Sequence, residues 1–154
     1  MTECTLRAAS ESDIEAIRQC AVDAYSKYIE RIGKPPAPMV ADFEVLVAAG
    51  KVVVALCENQ LAGFVVFYEI QNAMHLENVA VHPEFNGRGI GKLLIKYVEK
   101  RAAEIGLDYV ELYTNEAMTE NLSMYPALGY HEYDRRSEDG FNRVYFRIRV
   151  SSEA

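Results

Sequence analysis

No run in this 154-residue chain approaches the roughly 20 consecutive apolar residues that a membrane-spanning helix needs. The start, Met1-Thr2-Glu3-Cys4, lacks the basic and apolar regions of a secretory leader. Neither membrane insertion nor secretion is expected, and the cytoplasm is the expected location. Positive charge is also short: 16 Lys and Arg against 23 Asp and Glu leave a net charge of -7. Binding to nucleic acid through counterion release needs a basic surface, so the balance argues against a nucleic-acid partner and suits a cationic or neutral small substrate better. Cysteine is scarce. Cys4, Cys20 and Cys57 are an odd set at wide spacings with no Cys-x-x-Cys, and they read as buried reduced thiols. His75, His82 and His131 have no metal-ligand spacing, so no metal is expected. Against these absences stand 50% hydrophobic and 25% charged residues, enough for a single domain, 1–154, that folds without disulfides or metal.

The pattern along the chain is mixed. A short strand, Cys4 to Ala8, precedes Ser12 and Glu15, which have capping-box spacing, and Ile14, Ile17, Ala21, Tyr25, Tyr28 and Ile32 then recur on one helical face. Gly33, Pro35, Pro36 and Pro38 stop that helix, and a second runs from about Val40 to Gly50. Val52 to Cys57 and Leu61 to Glu69 read as a hairpin around Glu58-Asn59-Gln60, with a bulge suggested at Gly63. Met74 to Val81 is a third strand of that region, followed by a helix from Ile90 to Ile105 that Gly106 caps. Then come a strand at Tyr109 to Thr114 and a short helix from Glu120 to Leu128, with Pro126 expected to kink it or mark its first turn. A hairpin of Tyr130 to Arg136 and Phe141 to Val150 ends the pattern. The order β-α-α-β-β-β-α-β-α-β-β implies a mixed sheet with helices on both faces.

The most informative stretch joins a strand to a helix through glycines: Val81-His82-Pro83-Glu84-Phe85-Asn86-Gly87-Arg88-Gly89-Ile90-Gly91-Lys92. Glycine lets the backbone approach a ligand closely, while free N–H groups and the helix dipole converge on the same point, so a phosphate or pyrophosphate belongs there. The P-loop pattern fails, because Lys92 is followed by Leu93 and Asn86 stands where it needs glycine. The dinucleotide fingerprint fits poorly, since the spacing is Gly-x-Gly-x-Gly after a six-residue loop.

These residues resemble the Gcn5-related N-acetyltransferase superfamily over most of the chain. The family's loop is Gln/Arg-x-x-Gly-x-Gly/Ala after Val-x-Pro; here Val81-His82-Pro83 leads to Asn86-Gly87-Arg88-Gly89-Ile90-Gly91, with Asn86 in place of Gln or Arg. The resemblance implies a mostly antiparallel mixed sheet of about seven strands, an α/β fold of the α+β type. It also implies acetyl-CoA as co-substrate, with its pyrophosphate held by the amides of Gly87 to Lys92, including Arg88, Gly89, Ile90 and Gly91. Val79 would hold the thioester carbonyl, and Val81 would bond the pantetheine arm like an added strand. Asn121-Leu122-Ser123-Met124-Tyr125-Pro126-Ala127-Leu128-Gly129-Tyr130 is similar to the family's Tyr-x-x-x-Gly-Phe segment, which makes Tyr125 the expected acid. Met118 stands where the family often has Asn, so Asn115 or Asn121 is a candidate for that pantetheine contact.

Acetyl transfer to an amine needs a base for the ammonium, an oxyanion donor and a proton for the leaving thiolate. Glu77, two residues before Val79, is the first candidate base, with His75 and Glu111 as rivals; strand alternation would put His75, Glu77 and Val79 on one face unless a bulge intervenes. Cys57, in an apolar run, is a poor nucleophile, which favours direct attack in a ternary complex. By the resemblance, the acceptor site is lined by Tyr28 to Met39 and Arg135 to Asn142, where Tyr28, Arg31, Arg135 and Arg136 could hold an anionic group. The expected partner is a small-molecule or peptide amine, and a homodimer is an expectation of the family. A non-catalytic CoA-binding regulatory module is the main alternative.

Overall fold

A computed structural model describes residues 4–151. Its strands are β1 (Cys4–Ala8), β2 (Val52–Cys57), β3 (Gln60–Ile70), β4 (Ala73–Val81), β5 (Tyr109–Asn115), β6 (His131–Glu138) and β7 (Phe141–Arg149). The helices are α1 (Ile14–Tyr25), α2 (Ile29–Ile32), α3 (Phe43–Ala48), α4 (Ile90–Glu104) and α5 (Thr119–Ala127). In hydrogen-bonding order the seven strands run β1-β2-β3-β4-β5-β7-β6. The β4–β5 pair is parallel, whereas β1–β2, β2–β3, β5–β7 and β6–β7 are antiparallel. The chain divides into two compact units, one holding the residues up to Tyr68 with Glu77–Tyr97, the other Glu69–Leu76 with the residues from Val98 onward. Strand β4 contributes to both.

In the first unit, Val52 to Ala55 and Ala62 to Val66 are buried at every position, the signature of strands covered on both faces. On one face the Phe43 ring of α3 meets Phe64 edge-on at 5.4 Å. On the other, Phe67 meets Tyr97 of α4 at 6.0 Å. Gly63 is required by close approach: a Cβ there would lie 2.6 Å from the Ala80 carbonyl oxygen and 3.3 Å from Leu94 Cδ1. Beside it the β2–β3 register slips between Ala55 and Leu56, where the sequence suggests a bulge.

Three local expectations need correction. The helix expected through Ile32 breaks at a 3-10 turn, Ser26–Tyr28, and α2 then ends at Gly33 with φ 88°. The start is organised by Ser10 and Asp13 rather than Ser12 and Glu15. The Asp13 carboxylate accepts the Ser10 N–H at 2.8 Å and both arms of Arg7 at 2.7 and 3.0 Å, a set of partners that Glu15 lacks. The second helix begins at Phe43, because Asp42 caps it by accepting the Val45 N–H at 3.2 Å; Ala37–Val40 forms a separate 3-10 turn.

The reading of three reduced, buried thiols is overturned by a Cys4–Cys57 disulfide, and Cys4 is only half-buried. These residues face each other across β1 and β2 with Cα atoms 4.3 Å apart, the spacing of a close antiparallel pair. A separation of 53 residues hides that register from a reading of spacings. Cys20 is the free cysteine, its thiol pushed up to about 12 by burial.

In the second unit only one sheet face is apolar. Val110, Leu112, Val144 and Phe146 are buried there. The opposite face carries tyrosines under guanidinium groups: Arg143 lies 4.3 Å from the Tyr113 ring and Arg136 4.4 Å from Tyr145, while Arg147 lies 4.8 Å from Tyr109 and 4.9 Å from Tyr133. Pro126 sits in the last turn of α5, which corrects the expectation that it marks the first turn. Beyond it the Leu128 N–H bonds back to the Met124 oxygen at 3.1 Å and closes the helix.

Candidate functional site

The glycine loop lies in the first unit, between β4 and α4. Pro83–Phe85 forms a 3-10 turn that the His82 ring holds by accepting the Glu84 N–H at 3.2 Å, and the Asn86 N–H closes it on the Pro83 oxygen. Gly87 and Gly89 then take φ 79° and 78°, where side chains are strained, and a Cβ on either would meet nothing within 4 Å. The backbone is therefore open to a ligand at both positions. Helix α4 makes its first internal bond from the Leu93 N–H to the Gly89 oxygen at 3.0 Å, so the N–H groups of Ile90, Gly91 and Lys92 precede it. No acid sits in the first turn of this 15-residue helix to offset the positive dipole end. Arg88 and Lys92 add formal charge. These features fit a phosphate or pyrophosphate group.

Upstream, β4 pairs with β5 from Ala73/Tyr109 to His75/Glu111 and runs on to Val81 past the end of that ladder. Its burial alternates, with Leu76, Asn78 and Ala80 inside and Glu77, Val79 and Val81 half-buried. Its contacts do not alternate. Glu77 accepts the hydroxyl of Tyr68 at 2.6 Å, and Tyr68 shares a face with Phe64, which packs on α3. Asn78 reaches the hydroxyl of Tyr25 on α1 at 2.7 Å, while Val81 lies toward Gly91 of α4. Adjacent Glu77 and Asn78 thus both turn toward α1 and α3, and the expectation that Val79 shares the face of Glu77 is corrected by this break in alternation.

Tyr25, Tyr68 and Asn78 are the residues that sequence reasoning missed as site components. Tyr25 was visible only as one position of a helical face. Asn78 carried a signal, a lone amide inside Leu76-Glu77-Asn78-Val79-Ala80-Val81, which a buried strand tolerates only with partners.

In the second unit, Tyr125 is 3% exposed; its ring lies 5.5 Å from Tyr130 and 5.9 Å from Phe146. Burial pushes its phenol above the ordinary value, so it keeps its proton through neutral pH. Asn121 donates to Thr114 Oγ1 at 3.0 Å, tying α5 to β5, and Asn115 accepts the Ala117 N–H at 2.9 Å. Of the rival bases, His75 and Glu111 face each other across β4 and β5. The Tyr133 hydroxyl bonds Glu111, and burial with that carboxylate pushes its phenol up to about 12. The arginines considered for an acceptor are engaged within their own units. Arg31 lies 5.1 Å from the Tyr28 ring, Arg135 pairs with Glu132 at 2.7 Å, and Arg136 pairs with Asp134 at 2.6 Å. Among the described residues no group of three or more His, Cys, Asp or Glu could hold a metal ion, and no helix is long and apolar enough to cross a membrane.

Comparison with known proteins extends the motif match. The chain is similar in structure to the ribosomal-protein-S18-alanine N-acetyltransferase of Escherichia coli, at 15% identity and TM-score 0.77, covering 99% of this chain and 97% of that one. It is similar to the paiA N-acetyltransferase of Thermoplasma acidophilum, solved in complex with coenzyme A, at 18% identity and TM-score 0.73, with 96% and 99% covered. A third similar structure is yncA from Salmonella typhimurium, solved with its cofactor acetyl-CoA, at 16% identity and TM-score 0.73, with 99% and 96% covered. These likenesses establish the fold. The sequence profile described as the acetyltransferase (GNAT) family matches residues 14–130, most of the chain, and the protein therefore belongs to that family.

Proposed function

We propose that the whole chain, 1–154, is a single catalytic domain that transfers the acetyl group of acetyl-CoA to a primary amine of a small molecule or peptide, by direct attack in a ternary complex. The observation that carries this reading is the open glycine backbone at Gly87 and Gly89 in front of an uncompensated helix N-terminus, suited to the donor's pyrophosphate. The bound donor supplies an activated thioester. Glu77, held by Tyr68, serves as base for the acceptor ammonium, whose ordinary pKa is near ~10.4, directly or through water. Val79 offers its N–H to the developing oxyanion, and the backbone at Val81 bonds the donor's arm as an added strand would. Tyr125 holds the proton that the departing thiolate takes up. No cysteine is poised as a nucleophile, since Cys4 and Cys57 are joined and the Cys20 thiol is raised to about 12, which supports direct attack over an acyl-enzyme.

We place the protein in the cytoplasm, with the acyl donor. A homodimer is part of the proposal through the family alone. The test is incubation with isotopically labelled acetyl-CoA and an extract of metabolites and peptides, followed by mass spectrometry. A labelled amine supports the reading and identifies the acceptor; coenzyme A binding without any labelled product would favour a regulatory module.

A further inference from the structure

One buried side chain ties the Pro-rich loop before α3 to strand β4. Asn78 is 3% exposed and uses both ends of its amide: Nδ2 donates to the Pro38 oxygen at 3.0 Å, and Oδ1 accepts the Tyr25 hydroxyl at 2.7 Å. The same hydroxyl lies 2.8 Å from the Val79 carbonyl oxygen, so one proton is shared between a side chain and the strand backbone. Helix α1 grips the strand's end a second time, where Asp23 meets His82 Nε2 at 3.2 Å and is itself held by Gln19 at 2.9 Å. The loop needs such an anchor. Pro35, Pro36 and Pro38 have no N–H to donate, so this stretch has few main-chain bonds with which to hold itself.

We propose that Asn78 and Tyr25 are positioning residues for acetyl transfer, with separable tasks. Tyr25 fixes the peptide carbonyl of Val79, and Asn78 fixes the loop at Pro38 against the strand that carries Glu77 and Val79. This rests on the proposed function, in which Glu77 is the base and Val79 N–H the oxyanion donor. Tyr25 holds the Val79 carbonyl, so losing its hydroxyl frees Val79 and, with it, the peptide plane that carries the Val79 N–H. Small errors in that plane cost rate rather than donor affinity, because the pyrophosphate is gripped elsewhere in the unit. The loop, by contrast, is tied to the strand at Pro38 through Asn78, and its release should weaken acceptor binding.

Two substitutions separate the tasks. Asn78→Asp keeps an oxygen for the Tyr25 hydroxyl but turns a second oxygen toward the Pro38 carbonyl, releasing the loop. Tyr25→Phe removes the hydroxyl and leaves the Asn78–Pro38 bond. The experiment combines steady-state kinetics on the labelled acceptor, calorimetric binding of acetyl-CoA, and amide exchange over residues 34–41. For Asn78→Asp the expected result is an acceptor KM raised about 10-fold, faster exchange in the loop and acetyl-CoA affinity within about 2-fold. For Tyr25→Phe it is kcat lowered about 10-fold, with acceptor KM and loop exchange within about 2-fold. Should Asn78→Asp fail to fold, Asn78→Ser, uncharged and smaller, carries the same test. Wild-type turnover with unchanged loop exchange in the Asn78 variant, or with the same KM-against-kcat split in both variants, overturns the positioning roles alone. Absence of wild-type turnover on any acceptor overturns the proposed function and this proposal with it.

Discussion

The two units dispose their polar groups in opposite ways. The first buries β2 and β3 on both faces, and the anion site proposed in it is made of backbone, the amides from Gly87 to Lys92. The second buries one face and covers the other with tyrosines under arginines, ringed by Glu111 and Glu138, and its candidate site is a side chain, Tyr125, inside an aromatic cluster. The proposed function assigns donor affinity to that backbone and protonation of the leaving thiolate to a phenol whose removal leaves the backbone intact, so the two are separable.

The sharpest way to break this division is Gly89→Asp. A carboxylate would project into the open space in front of α4, beside a backbone at φ 78° that strains any side chain. Acetyl-CoA binding should fall by more than about 100-fold in calorimetry, from charge repulsion and lost approach combined. Aspartate favours helix starts, so the thermal transition should persist at a modestly lower temperature. Unchanged affinity would remove the loop from the donor site.

Tyr125→Phe is the converse. Loss of a general acid is worth about 10²–10⁴-fold, so kcat should drop at least 100-fold while acetyl-CoA affinity stays within about 2-fold. The pH dependence sharpens it. Burial raises the phenol above its ordinary ~10, so its proton is present below that value and lost only as pH rises beyond it. Wild-type kcat should therefore show no falling limb due to this group up to about pH 10, and a basic limb near pH 8 that disappears in the variant would contradict the raised phenol.

How far the sequence made these units legible follows the same contrast. The boundaries of β2, β3, β4 and α4, and the glycine loop between the last two, were readable because burial on both faces and the need for glycine leave direct marks in the chain. The side-chain network was not. Nothing local distinguishes Tyr133 on Glu111, or Arg143 on Tyr113, from exposed residues of a hairpin, since their partners lie on other strands. The break at Glu77 and Asn78 escaped for another reason: burial alternates through it, and only the partners, Tyr68 and Tyr25, show that two neighbouring side chains share a face. The Cys4–Cys57 bond depended on a register that 53 intervening residues conceal.

That bond offers a smaller test confined to the first unit. Closing so long a loop stabilises by about 2–4 kcal/mol, so a reducing agent, or Cys4→Ser with Cys57→Ser, should lower the denaturant midpoint accordingly. Amide exchange should rise along β1 and β2 and stay unchanged along β5, β7 and β6. Equal loosening of both sets of strands would show that the units do not unfold separately.

The smallest expected effect tests a surface ion pair at the start of α1 in the first unit. Arg7 holds the Asp13 carboxylate down to about 2, against an unfolded value near ~3.9. A depressed carboxylate contributes stability in full above its unfolded value and loses it as pH falls through its folded one, so the contribution is complete above about pH 4 and fades toward pH 2. Asp13→Asn retains an oxygen for the Ser10 N–H and removes the charge together with one of the two hydrogen bonds accepted from Arg7. The pair lies at the surface, with the Arg7 side chain 45% exposed, and solvent screens it. We expect Tm at pH 7 to fall by about 1–2 °C, with the difference vanishing as pH approaches 2. A difference that persists at low pH would trace the loss to the geometry of the Ser10 turn instead of to charge, and the first unit would then owe this end of α1 to its backbone as well.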